Sequence, residues 1–274
     1  MATRTAALAR PVAPASAGVL LPAFTLWWRE IVRFYRQKTR VVGVLASPLL
    51  FWVVIGSGFG TSFRAGSGQG QQHYMDYFYP GALIMIVLFT SIFAMMSLIE
   101  DRKEGFLLSV MVAPVPRSSI VLGKVLGGTT LSAVQGMIFL IFAPFAGIHL
   151  NLPQVLLVGI VVFLVSFALT ALGFAIAWPM DSTQAFHGII NLFLIPLWLL
   201  SGALFPMNGA SGWIRLLMYM NPLTYGVDAL RALLYPGMEA FPLSHSMATL
   251  LLFSLAMFAL AFLMANRRST RPAV

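Results

Sequence analysis

Cysteine is absent from all 274 residues, which excludes disulfides and thiolate chemistry while fixing no compartment. Acidic residues are scarce, eight against seventeen lysines and arginines. Charged residues of both signs make up only 9% of the chain, where a soluble domain carries about a quarter. No Asp, Glu, Lys or Arg falls well inside any long apolar run. That argues against proton or ion coupling, which usually needs an ionisable group within the membrane. The four histidines, 73, 149, 187 and 245, lack the spacing of metal ligands. His187 reads as a hydrogen-bonded interfacial side chain rather than a relay group. No nucleophile elbow is present, and Ser118 and Ser119, with no histidine nearby, read as caps on the helix that follows. "GSGFGTSFRAGSGQGQ" (56–71) lacks the helix-opening Lys-Ser/Thr of a phosphate-cradling loop. Gly123-Lys124 is followed by Val125 and has no glycine five residues earlier. ATP hydrolysis by this chain alone is not expected.

What remains is apolar. Hydrophobic residues make up 59% of the chain and the mean hydropathy is +0.88, so the composition is that of an integral membrane protein. A spanning helix needs about 20 apolar residues and tolerates few charges. These rules predict an all-α protein with six transmembrane helices, near 41–60, 77–99, 124–147, 153–178, 184–206 and 246–265. "GIHLNLP" (147–153) supplies the Gly, Asn and Pro of a tight turn, making the third and fourth spans a helical hairpin. The expected organisation is a flexible tail over 1–21, one transmembrane domain over 22–265 and a second tail over 266–274. The Arg-, Ala- and Pro-rich start reads as a tail rather than a cleavable signal peptide.

Of the seventeen basic residues, all but Arg64, Arg215 and Arg231 fall before the first span, in the 100–124 loop or after the last span. The positive-inside rule places those segments, and both termini, in the cytoplasm. The net charge of +9 therefore points to anionic lipid headgroups, not to nucleic acid.

Two segments are expected to lie on the membrane. In 22–40, Phe24, Trp27, Trp28, Ile31 and Tyr35 share one helical face, while Arg29, Arg33, Arg36 and Arg40 fall on another, the pattern of an amphipathic interfacial helix. Between the fifth and sixth spans, "NPLTYGVDALRALL" (221–234) predicts a short re-entrant or surface helix, with Asp228 and Arg231 spaced for mutual pairing.

The most unusual stretch is "EDRKEGFLLSVMVAPVPRSSIVLGK" (100–124). Five consecutive charged residues, Glu100 to Glu104, carry the second span into the cytoplasm, and Gly105 lets that helix stop. "FLLSVMV" (106–112) is seven residues, too short to cross a bilayer, and Pro114 and Pro116 forbid its continuation. Two coverings are open to this segment: the headgroup layer, as an anchor, or a cytoplasmic partner, as a docking knob.

The order acidic-Arg-x-x-Gly-Phe-Leu, Ala-Pro-Val-x-Arg, Ile-Val-Leu-Gly-Lys resembles the cytoplasmic loop of type-2 ATP-binding-cassette (ABC) exporter permeases, especially the daunorubicin-resistance branch. Asp101, Arg102, Gly105, Phe106, Leu107, Ala113, Pro114, Arg117, Gly123 and Lys124 carry it, and "YPGALIMIVLFTSIF" (79–93) and 221–234 extend it. Lys103 departs from that branch, which tends to carry an acidic residue there. The resemblance implies two permease copies, forming a homodimer in a bacterial inner membrane, with two copies of a separate ATPase subunit below. Here 22–40 would be the connecting helix, including Trp27, Trp28, Arg29, Arg33 and Tyr35, and 106–112 the coupling helix. Glu100, Asp101, Arg102, Glu104, Gly105, Phe106, Leu107, Pro114, Arg117 and Lys124 would form the ATPase interface. The chain itself would bind no cofactor, ATP and Mg belonging to the partner. Met85, Phe89, Phe93 and Met96 on the second span, with Phe193 and Trp198 on the fifth, offer adaptable and aromatic surface and are candidates for the path of a hydrophobic or amphipathic drug, lipid or lipid-linked glycan. An ATP-independent transporter or channel, or a lipid-modifying enzyme, would be a different class. The first would want buried acids and the last a convergent polar cluster.

Overall fold

The computed structural model describes residues 18–59 and 74–267. The expected tail through residue 17, most of the glycine-rich stretch 56–71, and Arg268 and Arg271 lie outside the described residues. The chain forms α1 (Leu20–Arg36), α2 (Lys38–Phe59), α3 (Tyr74–Ala94), α4 (Met96–Lys103), α5 (Phe106–Val112) and α6 (Arg117–Phe139). Then follow α7 (Leu152–Ala177), α8 (Thr183–Trp198), α9 (Gly212–Met220), α10 (Pro222–Leu234) and α11 (Leu243–Asn266), with no strand among the described residues.

Among the described residues, five helical stretches are long and apolar enough to cross a membrane: Tyr74–Lys103, Arg117–Ala146, Leu152–Ala177, Thr183–Ala203 and Leu243–Asn266. They coincide with five of the six expected spans. The other, 41–60, falls on α2, whose apolar part among the described residues is Ala46–Phe59. The α6 helix starts at Arg117, earlier than expected, so Lys124 lies two turns inside it. Ser118 and Ser119 are likewise inside α6 and cap nothing; the Ser119 hydroxyl donates to the Val19 carbonyl at 2.8 Å, tying α6 to the start of α1. The turn after α6 forms as its residues require. Gly147 is left-handed at φ +66, and Asn151 and Gln154 make a reciprocal capping box at the start of α7.

Hydropathy does not separate core from lipid face. The α3 stretch is 83% buried within the protein and the comparably apolar α11 only 17%, so α3 is the central post and α11 a peripheral helix. Because lipid tails are as apolar as leucine, helices here associate through close packing and polar contacts, and α6 is built for both. A Cβ added at Gly123 would sit 2.6 Å from Leu26 Cβ, and one at Gly127 would sit 2.9 Å from Glu30 Cβ, so α1 lies directly on this glycine pair. On other faces of α6, Gly128 meets Thr170 of α7 and Gly136 meets both Val87 of α3 and Val162 of α7. Thr90 donates to Gln135 at 2.5 Å and Ser91 to Ser132 at 2.9 Å, stitching α3 to α6.

At the opposite end from α5, α8 breaks. Pro196 supplies no N–H, a π turn follows over Leu199–Ala203, and Gly202 turns left-handed at φ +80. Side chains from α3, from the N-cap of α10 and from its last turn satisfy the freed carbonyls. Asn221 donates to Leu197 at 2.6 Å, Tyr77 and Arg231 to Gly202 at 2.8 and 3.1 Å, and Tyr74 to Leu204 at 2.9 Å. Irregular backbone is tolerated at membrane depth only when buried in protein in this way. The α10 helix is buried within the protein along most of its length. Asp228 and Arg231 do not pair with each other as expected. Asp228 accepts from the backbone of Ala240 and Phe241 and from Ser246, anchoring the turn into α11.

Candidate functional site

The sequence motif 100–124 folds as a compact bracket. The α4 helix closes with the Glu104 N–H on the Glu100 carbonyl, and Gly105, at φ +76, reverses the chain into α5. A residue with a Cβ is strained in that conformation, which is why glycine stands there. On α5, Leu107 is buried and Phe106 lies beneath the Arg29 guanidinium, 3.8 Å from its ring centre. The other face is bare: Leu108 is 62% exposed, Met111 41% and Val112 79%. Pro114 and Pro116 then end the segment, and Pro116, extended at φ −67 and ψ 141, leads into α6.

Behind α5 sits a charge cluster that joins three helices. Lys124 of α6 donates to Glu30 of α1 at 2.6 Å, to Ser97 of α4 at 3.1 Å and to Asp101 of α4. Ser97 donates to the second Glu30 oxygen at 2.6 Å. Arg29 reaches both Asp101 oxygens, Arg33 bridges Asp101 at 2.7 Å and Glu100 at 2.8 Å, and Glu104 stands 3.7 Å from Arg33. Glu30, Asp101 and Lys124 are at most 4% exposed. Four acids, Glu30, Glu100, Asp101 and the exposed Glu104, face three bases, Arg29, Arg33 and Lys124, and each buried member, Glu30, Asp101 and Lys124, is paired with opposite charge and hydrogen-bonded. Burial beside α4 works against the Arg29 charge. Its hydrogen bonds and attraction to Asp101, with help from Glu30 and Glu104, more than offset this and raise its pKa above the usual arginine value.

The motif's remaining arginines brace other helices. Arg102 donates to the carbonyls of Trp178 and, at 2.8 Å, Met180, and pairs with Asp181 at 3.1 Å, capping the end of α7. Arg117 donates to the carbonyls of Ala265 and Arg267, at 3.0 and 3.3 Å, and so holds the end of α11.

Of the residues expected at the interface, Asp101, Leu107 and Lys124 are buried within the chain. Glu100, Arg102, Phe106 and Arg117 are partly exposed, and Glu104, Pro114 and the row Leu108, Met111 and Val112 are exposed. The α1 helix packs on the rest of the protein through one side. Its protein-facing side is Ala23, Leu26, Glu30 and Phe34, and Arg29 and Arg33 are committed to α4 rather than to headgroups. The expected apolar face is the outer one, with Phe24, Trp28 and Tyr35 exposed, while Trp27 donates to Thr130 at 3.0 Å. Glu30 escaped the sequence reading. Its signal was a lone acid in register with Ala23, Leu26 and Phe34, opposite the glycine pair of α6.

The candidate path residues do not share one surface within the chain. Met85 and Trp198 are buried, with Trp198 donating to Gly81 at 2.9 Å, while Phe193 is exposed on α8. Phe89 and Phe93 stack at 5.7 Å, and His187 lies 5.4 Å from the Phe93 ring. Among the described residues no group of His, Asp and Glu is arranged to hold a metal ion.

A helical bundle with a central post, five apolar stretches long enough to cross a membrane among the described residues, and short helices packed at its two ends is the architecture of a multi-pass membrane protein. The model of the ABC-2 type transporter family matches residues 23–235, and the chain belongs to that family. Its relatives are transport permeases. It is 28% identical to the transport permease ycf38 of Cyanophora paradoxa over 246 residues, 89% of this chain and 80% of that protein. It is 27% identical to the inner membrane transport permease YadH of Escherichia coli K12, covering 89% and 94% of the two chains. It is 24% identical to the daunorubicin resistance ABC transporter permease protein DrrB1 of Streptomyces coeruleorubidus, covering 81% and 78%. The chain is a transport permease of this family.

Proposed function

We propose that this permease is the membrane half of an ATP-driven exporter, working as one of two copies with two copies of a separate ATPase subunit that binds the ATP and Mg. The supporting observation is α5: an apolar row, Leu108, Met111 and Val112, exposed on a helix too short to span and fixed from behind by Leu107 and by Arg29 over Phe106. An apolar knob ringed by charge suits a groove on a protein partner. The excess of basic residues around this loop supports a cytoplasmic position for it and for both termini, in a bacterial inner membrane. Residues 22–265 act as one transmembrane unit.

In this reading, closure of the ATPase pair pushes α5, which rearranges packed helices as rigid bodies. The route runs through Phe106 and Arg29 to α1, through Arg102 to the end of α7, and through α6 and Arg117 to α11. The permease supplies the path and no bond-making chemistry. A relative named for daunorubicin resistance supports a hydrophobic or amphipathic cargo.

The test is co-expression with a candidate ABC ATPase chain. The permease alone should show no ATP turnover, and the complex should couple turnover to export. Changing Leu108, Met111 and Val112 together to Asp should abolish co-purification. Retained assembly with normal export would return α5 to the role of a membrane anchor.

A further inference from the structure

Arg231 is a buried cation without an ionic partner. It lies on α10, 7% exposed, with its guanidinium 4.4 Å from the Tyr77 ring centre. Of its five N–H donors, one bonds the Gly202 carbonyl at 3.1 Å, an oxygen that already accepts from the Tyr77 hydroxyl, and the Tyr77 oxygen is a second hydrogen-bond neighbour of the guanidinium. The buried Nε has no acceptor. All eight Asp and Glu side chains lie among the described residues, and none forms an ion pair with Arg231. Asp228, one turn earlier, gives it attraction at longer range, but its oxygens are committed to Ala240, Phe241 and Ser246. At the other end of the bundle every buried base has an acid, so the lack of one here is local.

A guanidinium held away from water without an anion is costly, and an ionisable group at membrane depth is a functional-site candidate whose partner must be named. This chain offers none. We propose that Arg231, with the Tyr77 ring and the break in α8 at Gly202, forms a receptor for one oxyanion, a phosphate or carboxylate, carried on an amphiphile. The planar N–H edge of arginine suits two oxygens of one such group. The amphiphile's apolar part would lie along the neighbouring apolar surface of the bundle. The anion can come from a lipid headgroup or from a transported acid. Binding stands apart from ATP coupling, and only the cargo source rests on the exporter reading.

The full chain is placed in nanodiscs of phosphatidylcholine and titrated with dodecyl phosphate or with uncharged dodecanol. A second set of nanodiscs contains phosphatidylglycerol, and thermal unfolding is followed in each. A higher Tm is expected with dodecyl phosphate, with phosphatidylglycerol or with both, and none with dodecanol. A rise only with phosphatidylglycerol identifies a lipid source, and one only with dodecyl phosphate a cargo-like source. Arg231→Gln should lose the rise, Arg231→Lys should keep it with about tenfold weaker binding, and neutralising the exposed Arg215 by Arg215→Gln should leave it intact. No rise in the wild type under either anionic condition, or an equal rise in Arg231→Gln, overturns the assignment. If Arg231→Gln does not fold, the dodecyl phosphate and dodecanol comparison in wild type and Arg231→Lys still decides. Loss of ATP coupling with the anion response intact would refute the exporter reading alone.

Discussion

Lys124 and Glu30 are 94 residues apart in sequence, and their charged atoms meet at 2.6 Å. With Asp101 on the same ammonium, this single contact holds α1, α4 and α6 together behind α5. Removing one member of a buried, paired set leaves the others uncompensated, which costs far more than the set contributes in net stability.

Lys124→Met should therefore lower stability by about 3–5 kcal/mol, read as a fall in Tm by circular dichroism in detergent. Adding Glu30→Gln should restore part of the loss, because the orphaned acid goes with it. Additive losses would show that the two side chains do not act as a pair.

The glycine pair of α6 makes a second, steric demand. Gly123→Ala puts a Cβ within 2.6 Å of Leu26 Cβ and 2.8 Å of the Ala23 carbonyl, so α1 must move off α6 at about 1–3 kcal/mol. Gly188→Ala meets nothing within 4 Å and should be neutral or slightly stabilising. Equal Tm values for the two variants would contradict the packing.

How much of this was readable from sequence depended on range. Apolar runs marked the spans because the rule for crossing a bilayer is local, and Gly105 and Gly147 marked their turns because left-handed backbone asks for glycine. Glu30 and Lys124 could not be matched, since their pairing depends on how α1 lies on α6. Asp228 and Arg231 were misread for a related reason. Spacing on one helix favoured a pair, but the loop before α11 and the broken α8 offered each a better-placed partner. Nor did hydropathy distinguish Met85 in the core from Phe193 on the outside, since protein interior and lipid select the same side chains.

Asn221 serves two elements at once, accepting from the Leu223 N–H at the start of α10 and donating to the Leu197 carbonyl. Asn221→Ala should cost about 1–2 kcal/mol for the lost cap, with a further loss from the stranded carbonyl. Faster amide exchange should be confined to α10 and the end of α8; uniform protection would refute this.

On α5, Leu107 and Val112 should behave oppositely. Leu107→Asp buries a charge and should lower Tm, whereas Val112→Asp, on a residue 79% exposed, should leave Tm unchanged while weakening any docked partner. A comparable loss of Tm in both would mean that Val112 is covered within the permease itself.

Because the chain has no cysteine, single cysteines report topology without background. On the proposed orientation, Glu104→Cys should react with an impermeant maleimide only after the cytoplasmic face is opened, and Trp213→Cys should react in intact cells. The reverse pattern would invert the protein in the membrane.

The long separation of Glu30 from Lys124 also bears on biosynthesis. At about 5–20 residues per second, the 94 positions from one to the other take about 5–20 s to translate. During that interval the first helix has its glutamate but not the lysine that answers it. The clamp can close only once α4 and the first turns of α6 have both been made, so α1 is among the first helices synthesised and among the last to be locked in place.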